Sequence, residues 1–325
     1  MDKLGIYIPT FNRERELKEC LESFIPQVES YNLPIYISDN STTQNTERLV
    51  RMMKKRYNKI YYRKSQYIGK GRTYALNLRS VFEMGDTEYV WFFGDDDVIK
   101  AGAIKRVIDN IKDNDFLQIN TSVYNNDLSK KLTDRTIDKI EDIVYMDGDH
   151  SQVMLNARKY GYVGFMAGII TRRVLLDEQL SKLHNVRNMD FLHTFLHYRA
   201  IVGKKGKLLA APVIKYRTGA ELGRRLIEIW MVSFPKTLDM LSKWYKADVL
   251  RVIADWKVYD LIGMAYYIRN KYPEEAAIAS KSIMSNGYIN YIKKVPAYMV
   301  LNISIVYYIL GFFRSLKNLK KIFQG

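Results

Sequence analysis

The run Glu88-Tyr89-Val90-Trp91-Phe92-Phe93 passes straight into Gly94-Asp95-Asp96-Asp97, and this junction constrains the fold more than any other part of the chain. An unbroken aromatic and β-branched run of this length reads as a strand buried on both faces, at the centre of a sheet covered by helices. Three carboxylates at its end repel one another unless a cation or bound ligand offsets them. A solvated turn capping the next helix would use the same residue types. The strand before the turn and Val98-Ile99-Lys100-Ala101-Gly102 after it favour a binding role. A divalent metal is the natural compensator, and hard oxygen ligands select Mg²⁺ or Mn²⁺, whereas zinc-type clusters of Cys and His are missing from the sequence.

Around this junction the first half of the chain alternates short β-rich runs with helical patterns, the signature of an α/β fold with a largely parallel sheet. Strands are expected at Leu4 to Ile8, Pro34 to Ser38, Ile60 to Arg63, Glu88 to Phe93 and Phe116 to Asn120. Helices are expected after Thr10 or Asn12, from Thr46 to Lys55 and from about Arg72 to Met84. Three polar clusters, Pro9 to Asn12, Asp39 to Thr43 and Asp95 to Asp97, then fall at the carboxyl ends of strands, where open α/β sheets bind ligands. They should converge on one crevice.

Composition supplies both core and surface: 325 residues are 47% apolar and 26% charged, which excludes disorder. The single cysteine, Cys20, excludes a disulfide framework. It shares an apolar stripe with Leu17, Leu21 and Phe24 and reads as a buried small hydrophobe in a reducing compartment. Met1-Asp2-Lys3 leads directly into a strand, so no signal peptide is expected and the body of the protein is placed inside the cell. With 51 Lys and Arg against 35 Asp and Glu, the formal charge is +16, which points to an anionic partner of unspecified kind. Arg51 to Lys64 holds seven basic residues and no acid. It reads either as a nucleic-acid contact or as a solvated helix face followed by an edge strand guarded by lysines.

Ile6-Tyr7-Ile8-Pro9-Thr10-Phe11-Asn12-Arg13, Ile37-Ser38-Asp39-Asn40-Ser41, Gly69 through Asn77, and Phe93-Gly94-Asp95-Asp96-Asp97 stand in an order that resembles the signature of family 2 glycosyltransferases with the GT-A fold. The resemblance covers about residues 1 to 220. The aromatic strand before the acidic turn is further similar to enzymes assembling O-antigen and capsule repeat units, abequosyltransferases included. By this resemblance Pro9, Thr10 and Asn12 line a nucleotide base pocket and Asp39 accepts a hydrogen bond from the base. Gly69 and Gly71 let the backbone approach the nucleotide, with Arg72 and Asn77 nearby. Asp95 reaches ribose or metal, Asp97 is the principal metal ligand, and Asp96 is the variable middle residue at the donor.

The resemblance also implies an acceptor segment at Gly161 to Gly168 and a catalytic base in an acidic pair opening a helix. Asn188-Met189-Asp190-Phe191-Leu192 stands in that place, with Met189 replacing the first acid, so Asp190 is the expected base. His193 and His197 lie on its helical face but sit among Phe191, Leu192, Phe195 and Leu196, and read as hydrogen-bonded core rather than a second metal site. Where the family places a histidine or basic residue in a late loop, this chain has Lys215-Tyr216-Arg217-Thr218, which makes Arg217 or Lys215 the expected diphosphate contact.

The implied protein is an inverting, metal-dependent transferase taking a nucleotide diphosphate sugar, a UDP-sugar first, to a glycan acceptor that is expected to be lipid-linked. A sugar nucleotidyltransferase is the enzymatic alternative, but Pro9-Thr10-Phe11-Asn12 is not the glycine-rich phosphate loop it needs. A basic nucleic-acid-binding protein is the non-enzymatic one. The transferase domain is drawn at 1–219 and a helical region at 220–325, with helices at Ile227 to Ala247 and Ala276 to Asn286. Val295 to Phe313 holds 19 residues without charge between basic flanks, so segment 293–321 is expected to dock on an anionic membrane surface from the cytoplasmic side.

Overall fold

In the computed structural model the described residues are 2–66, 74–187, 189–218, 229 and 233–254. The chain separates into two compact units, Met1–Ala220 with Met240–Asp248, and Glu221–Asp239 with Val249–Gly325. In chain order the elements are β1 (Asp2–Thr10), α1 (Glu14–Val28), β2 (Ile35–Asp39), α2 (Asn45–Arg56), β3 (Ile60–Lys64), α3 (Tyr74–Phe82), β4 (Thr87–Phe92), β5 (Val98–Ile99), α4 (Ala103–Ile111), β6 (Phe116–Tyr124), β7 (Lys131–Thr133), β8 (Ile143–Tyr145), α5 (His150–Asn156), β9 (Ile169–Arg172), α6 (Arg173–Ser181), α7 (Leu192–Ala200), β10 (Gly206–Arg217) and α8 (Phe234–Ala254).

Among the described residues one ten-stranded sheet carries the first unit, in the order β3-β2-β1-β4-β9-β6-β10-β5, with β7 on β6 and β8 on β10. The β3, β2, β1 and β4 strands are mutually parallel, while β9 runs antiparallel between β4 and β6. Register sets the strand ends level: Thr10 lies opposite Asp39, Asp39 opposite Lys64, and Tyr7 opposite Phe92. The polar residues that follow each strand therefore meet at one edge of the sheet, as the three sequence clusters require.

Alternation along the strands builds a core on each face. Ile6, Ile8, Trp91 and Phe93 pack with Leu17, Cys20, Leu21 and Phe24 of α1 and with Leu49, Val107 and Ile111 on the same side. Tyr7, Val90 and Phe92 pack on the other side with Leu78 and Val81 of α3 and Leu192 and Leu196 of α7. The β4 run is thus buried on both faces. Phe24 meets Phe93 edge-on at 4.7 Å and Trp91 at 5.9 Å between ring centroids, which fixes α1 over the strand that ends in the acidic turn.

Two stretches differ from expectation. The β6 strand continues through Asn120-Thr121-Ser122 to Tyr124 because buried Asn120 is satisfied internally: its amide donates to the Ile137 and Ala210 carbonyls at 2.8 and 2.9 Å, and its Oδ1 accepts from three backbone N–H groups. Lys215-Tyr216-Arg217, expected in a loop, ends the twelve-residue β10, whose pairing with β6 shifts register between Leu209 and Ile214. The helix expected from Ile227 is described as α8 from Phe234. The helix at 276–286 and the apolar stretch 295–313 lie outside the described residues. Among the described residues no helix is long and apolar enough to cross a membrane.

Candidate active site

The β1–α1 loop is fastened to the β2–α2 loop by Asn12. Its backbone adopts a left-handed φ of 51°, which asparagine tolerates better than most residues. From there its Oδ1 accepts the Thr42 N–H at 2.9 Å, and its own N–H donates to Ser41 Oγ at 2.8 Å. Asn77 of α3 donates to the Thr10 carbonyl at 3.2 Å, adding a third element. Pro9 is buried in β1 opposite Ser38, and Phe11 projects from the loop at 54% exposure.

Asp39 is fully buried and heavily engaged. Oδ1 accepts the Ser41 N–H at 2.7 Å, and Oδ2 accepts the Tyr62 hydroxyl at 2.8 Å and Lys64 Nζ at 2.9 Å. Lys64 also donates to the Ser41 carbonyl at 2.6 Å. Burial and the Asp39 carboxylate both push the Tyr62 phenol well above its ordinary value, keeping it a donor. Lys64 is a site residue that the sequence pattern misses, because it reads as one more lysine on an edge strand.

The acidic turn is held from both sides. Asp95 Oδ2 accepts the Thr10 hydroxyl at 2.7 Å, and Arg13 Nη1 bridges Asp95 Oδ1 at 3.0 Å and Asp96 Oδ2 at 2.9 Å. Asp97 Oδ1 accepts the backbone N–H of Arg217 at 2.8 Å. A Cβ on Gly94 would stand 2.9 Å from Asp96 Oδ1 and 3.3 Å from Asp97 Oδ2, so glycine is what lets the carboxylates fold back over the strand end. Beneath them Cys20 Sγ approaches the Gly94 carbonyl at 3.8 Å.

Arg217, the expected diphosphate contact, instead turns its guanidinium inward and is 2% exposed. Nε donates to the Asp96 carbonyl at 2.6 Å, Nη1 to the Asn126 carbonyl at 2.8 Å, and Nη2 to Glu19 of α1. All three of its nitrogens are committed to protein groups. Lys215, the other candidate, rests its ammonium over the Tyr124 ring, 5.5 Å from the centroid.

Burial is the main cause of perturbed acidity in the turn. It pushes Asp95 up to about 6, with Arg13 opposing and Asp96 adding to the rise. Asp97 is raised well above the ordinary carboxylate range by burial and Asp96, against the Arg217 N–H. A cation would relieve this cost. The donor set fits a hard divalent ion: Asp97 and Asp95 offer carboxylate oxygen, while no group of three or more His, Cys, Asp or Glu arranged for a metal occurs among the described residues. Such an ion would take its remaining ligands from water or a ligand's phosphate oxygens.

Around the segment 161–168, the Trp91 indole donates to the Ala167 carbonyl at 3.0 Å and the Tyr162 hydroxyl to the Ile119 carbonyl at 2.6 Å. His193 Nε2 donates to the Gly164 carbonyl at 2.9 Å, and its Nδ1 accepts the Tyr74 hydroxyl at 2.6 Å. His197 Nδ1 bonds the Thr171 hydroxyl at 2.8 Å. Burial depresses His193 to about 4 and His197 to about 3, so both are neutral in the physiological range. Asp190 is half-buried in the turn before Phe191, the residue capping α7, and its charge contributes to the raised phenol of Tyr74. The Tyr74–His193 hydrogen bond joins the start of α3 to the first turn of α7, the helix that Asp190 precedes. Gly69 and Arg72 lie outside the described residues.

A mixed α/β sheet whose parallel strands end level in Thr10, Asp39 and a buried acidic turn defines a GT-A type glycosyltransferase. The family model described as "Glycosyl transferase family 2" matches residues 5–173, more than half the chain, and the protein belongs to that family. Neither the nucleotidyltransferase nor the nucleic-acid-binding alternative is supported. Abequosyltransferase RfbV of Salmonella typhimurium strain LT2 is 40% identical over 105 residues, covering 31% of this chain and 30% of that protein. A Campylobacter jejuni GalNAc(5)-diNAcBac-PP-undecaprenol beta-1,3-glucosyltransferase is 29% identical over 108 residues, 33% of this chain and 34% of its own length. The chain thus matches about a third of each curated relative. Among solved structures, residues 1–349 of S. aureus TarS share the fold at a TM-score of 0.58 and 15% identity, covering 93% of this chain and 91% of that one. The same protein with UDP-GlcNAc aligns at 0.54 and 16% identity over the same shares.

Proposed function

We propose that the protein moves one sugar from a nucleoside diphosphate sugar, a UDP-sugar first, to a hydroxyl of a lipid-linked glycan, with inversion at the anomeric carbon, in cell-surface polysaccharide assembly. The observation that carries this reading is the level placement of Thr10, Asp39 and the Asp95–Asp97 turn along adjacent parallel strands. The two relatives, one an abequosyltransferase and one a glucosyltransferase named for a PP-undecaprenol glycan, support the glycan and lipid parts.

In this reading Pro9, Thr10, Asn12 and Asp39 frame the base, and the exposed ring of Phe11 offers it a stacking face. Gly69 and Arg72 are assigned to nucleotide binding in the same reading. Asp97 and Asp95 would hold Mg²⁺ or Mn²⁺, which supplies neutralisation of the departing diphosphate. Asp96 borders the same pocket and keeps Arg13 beside it. Arg217 serves the donor by fixing the turn rather than by touching phosphate. Asp190 takes the proton of the acceptor hydroxyl as it attacks from the face opposite the leaving group, so no covalent intermediate on the protein is required. Tyr74 and His193 set the Gly164 carbonyl in the acceptor segment. Segment 293–321 brings the protein to the anionic cytoplasmic face of the membrane, where such an acceptor resides.

Hydrolysis and transfer assays with a panel of nucleotide sugars, with and without Mn²⁺ and polyprenyl-diphosphate glycans, test the proposal. Turnover of one UDP-sugar that rises with a lipid-linked acceptor supports it. Turnover of no nucleotide sugar under any of these conditions would remove it. Flotation of the full chain with anionic and neutral liposomes tests the membrane part, and equal recovery from both would refute anionic docking.

A further inference from the structure

Arg13 is the cation set on the first two carboxylates of the acidic turn. A single nitrogen, Nη1, lies within hydrogen-bond distance of carboxylate oxygens from two successive residues, Asp95 and Asp96, while the Thr10 hydroxyl takes the other oxygen of Asp95. Both oxygens of Asp95 are therefore satisfied by the protein itself. A divalent ion binds carboxylate oxygen at about 2.1 Å, and a guanidinium on the same oxygen would place like charges only a few ångströms apart. Each therefore weakens the other's hold on Asp95.

The construction around Arg13 allows it to yield. Asn12 pins the loop backbone to Thr42 and Ser41, so the loop stays fixed, but the Arg13 side chain remains 30% exposed and among the described residues bonds only the Asp95 and Asp96 carboxylates. Arg217 differs in every respect: its side chain is 1% exposed and tied to carbonyls as well as to Glu19. One basic residue is a fixed strut and the other is a replaceable charge. A diphosphate entering beside Asp95 presents anionic oxygens to the exposed side of Arg13, which exchanges one pair of anions for another with little loss of compensation.

Building on the metal-dependent reading above, we infer that Arg13 is an internal counter-ion that competes with the metal for Asp95 in the free protein and gives that carboxylate up when a nucleoside diphosphate binds, so that metal and nucleotide each strengthen the other. Thermodynamic reciprocity then requires the same coupling factor in both directions. The free protein binds divalent metal weakly, and removing Arg13 converts the turn into a stronger metal site that no longer needs the nucleotide.

The experiment is Mn²⁺ titration of the full chain at pH 8, read by electron paramagnetic resonance and calorimetry, with and without UDP and with a Mn²⁺–UDP control lacking protein. In the native protein UDP is expected to tighten Mn²⁺ binding about tenfold or more. In Arg13→Gln, Mn²⁺ alone is expected to bind about tenfold tighter than to the native protein, and the gain from UDP shrinks, because the competing positive charge is gone. Arg13→Lys retains the charge and part of the native coupling, and stands in where the Gln variant fails to fold. Native-like Mn²⁺ affinity in folded Arg13→Gln, or tight Mn²⁺ binding by the native protein without UDP, overturns the inference while leaving metal-dependent transfer in place. Absence of protein-bound Mn²⁺ even with UDP overturns the metal reading itself, and the inference with it.

Discussion

The backbone N–H of Arg217 donates to Asp97 Oδ1 at 2.8 Å, joining residues 120 positions apart in the chain. It is the one protein donor that Asp97 has among the described residues, so the orientation of the proposed metal ligand is set by the last residue of β10. Asp97→Asn keeps the shape and can still accept this N–H, but removes a charge whose burial is unfavourable. In EDTA its Tm should match or exceed the native value. Transfer activity should fall by about two to three orders of magnitude, as for loss of one leaving-group stabiliser. Steady-state assays alongside calorimetry check both, and retained metal-dependent activity would move the ligand elsewhere.

Acidity in the turn gives a pH dependence with a definite sign. Asp95 has a folded value near 6 against an ordinary 3.8, and Asp97 is shifted the same way. The folded state holds these protons more tightly, so the Asp95 contribution to metal-free stability is intact below about pH 4 and lost as pH rises through 6, and Asp97 contributes with the same sign. Added Mn²⁺ counteracts the loss. The difference in Tm between Mn²⁺ and EDTA samples should be small at pH 5 and grow as pH rises through 6 and beyond. A difference independent of pH would separate the metal from these carboxylates.

The Asp39–Lys64 pair is expected to govern donor affinity. Asp39→Ala strands the Tyr62 hydroxyl, the Ser41 N–H and the Lys64 ammonium, at a cost of about 1–3 kcal/mol in stability, measurable by denaturant titration. Lys64→Met leaves the buried carboxylate without its cation. Both variants should raise the donor KM about tenfold or more with a smaller change in kcat, and an unchanged KM would remove Asp39 from the base pocket.

Asp190→Asn should lower kcat by about two to four orders of magnitude while leaving UDP affinity near native, since a general base acts only in the acceptor step. Calorimetric UDP binding beside single-turnover transfer distinguishes the two effects. Near-normal turnover would return the role to another group.

The parts of this fold that were legible in sequence are those with a local period or an abrupt chemical boundary. Glu88 to Phe93 declared a doubly buried strand, and Asp39 and the Asp95–Asp97 turn stood out because polar residues followed apolar runs without transition. The antiparallel insertion of β9 between β4 and β6 left no such mark, because pairing direction has no trace in a strand of four residues. The β10 strand was obscured by Ala210-Ala211-Pro212, where its pairing with β6 shifts register. Least legible were the charge pairs. Arg13 with Asp95 and Lys64 with Asp39 span 82 and 25 residues, and each arginine or lysine looks alone like any other basic surface group. The inward turn of Arg217 has the same cause, since Glu19 and Asn126 are remote in sequence.

Cys20, the chain's single cysteine, sits fully buried in α1 with its sulfur against the Gly94 carbonyl, directly under the acidic turn. Burial, reinforced by the three aspartates, pushes its thiol far above the ordinary range, so the reactive thiolate is suppressed while the helix is seated. The molecule therefore carries a built-in timer for its own breathing. A thiol reagent will label it only during excursions that lift α1 from β4, and the labelling rate reports how often the floor of the crevice opens.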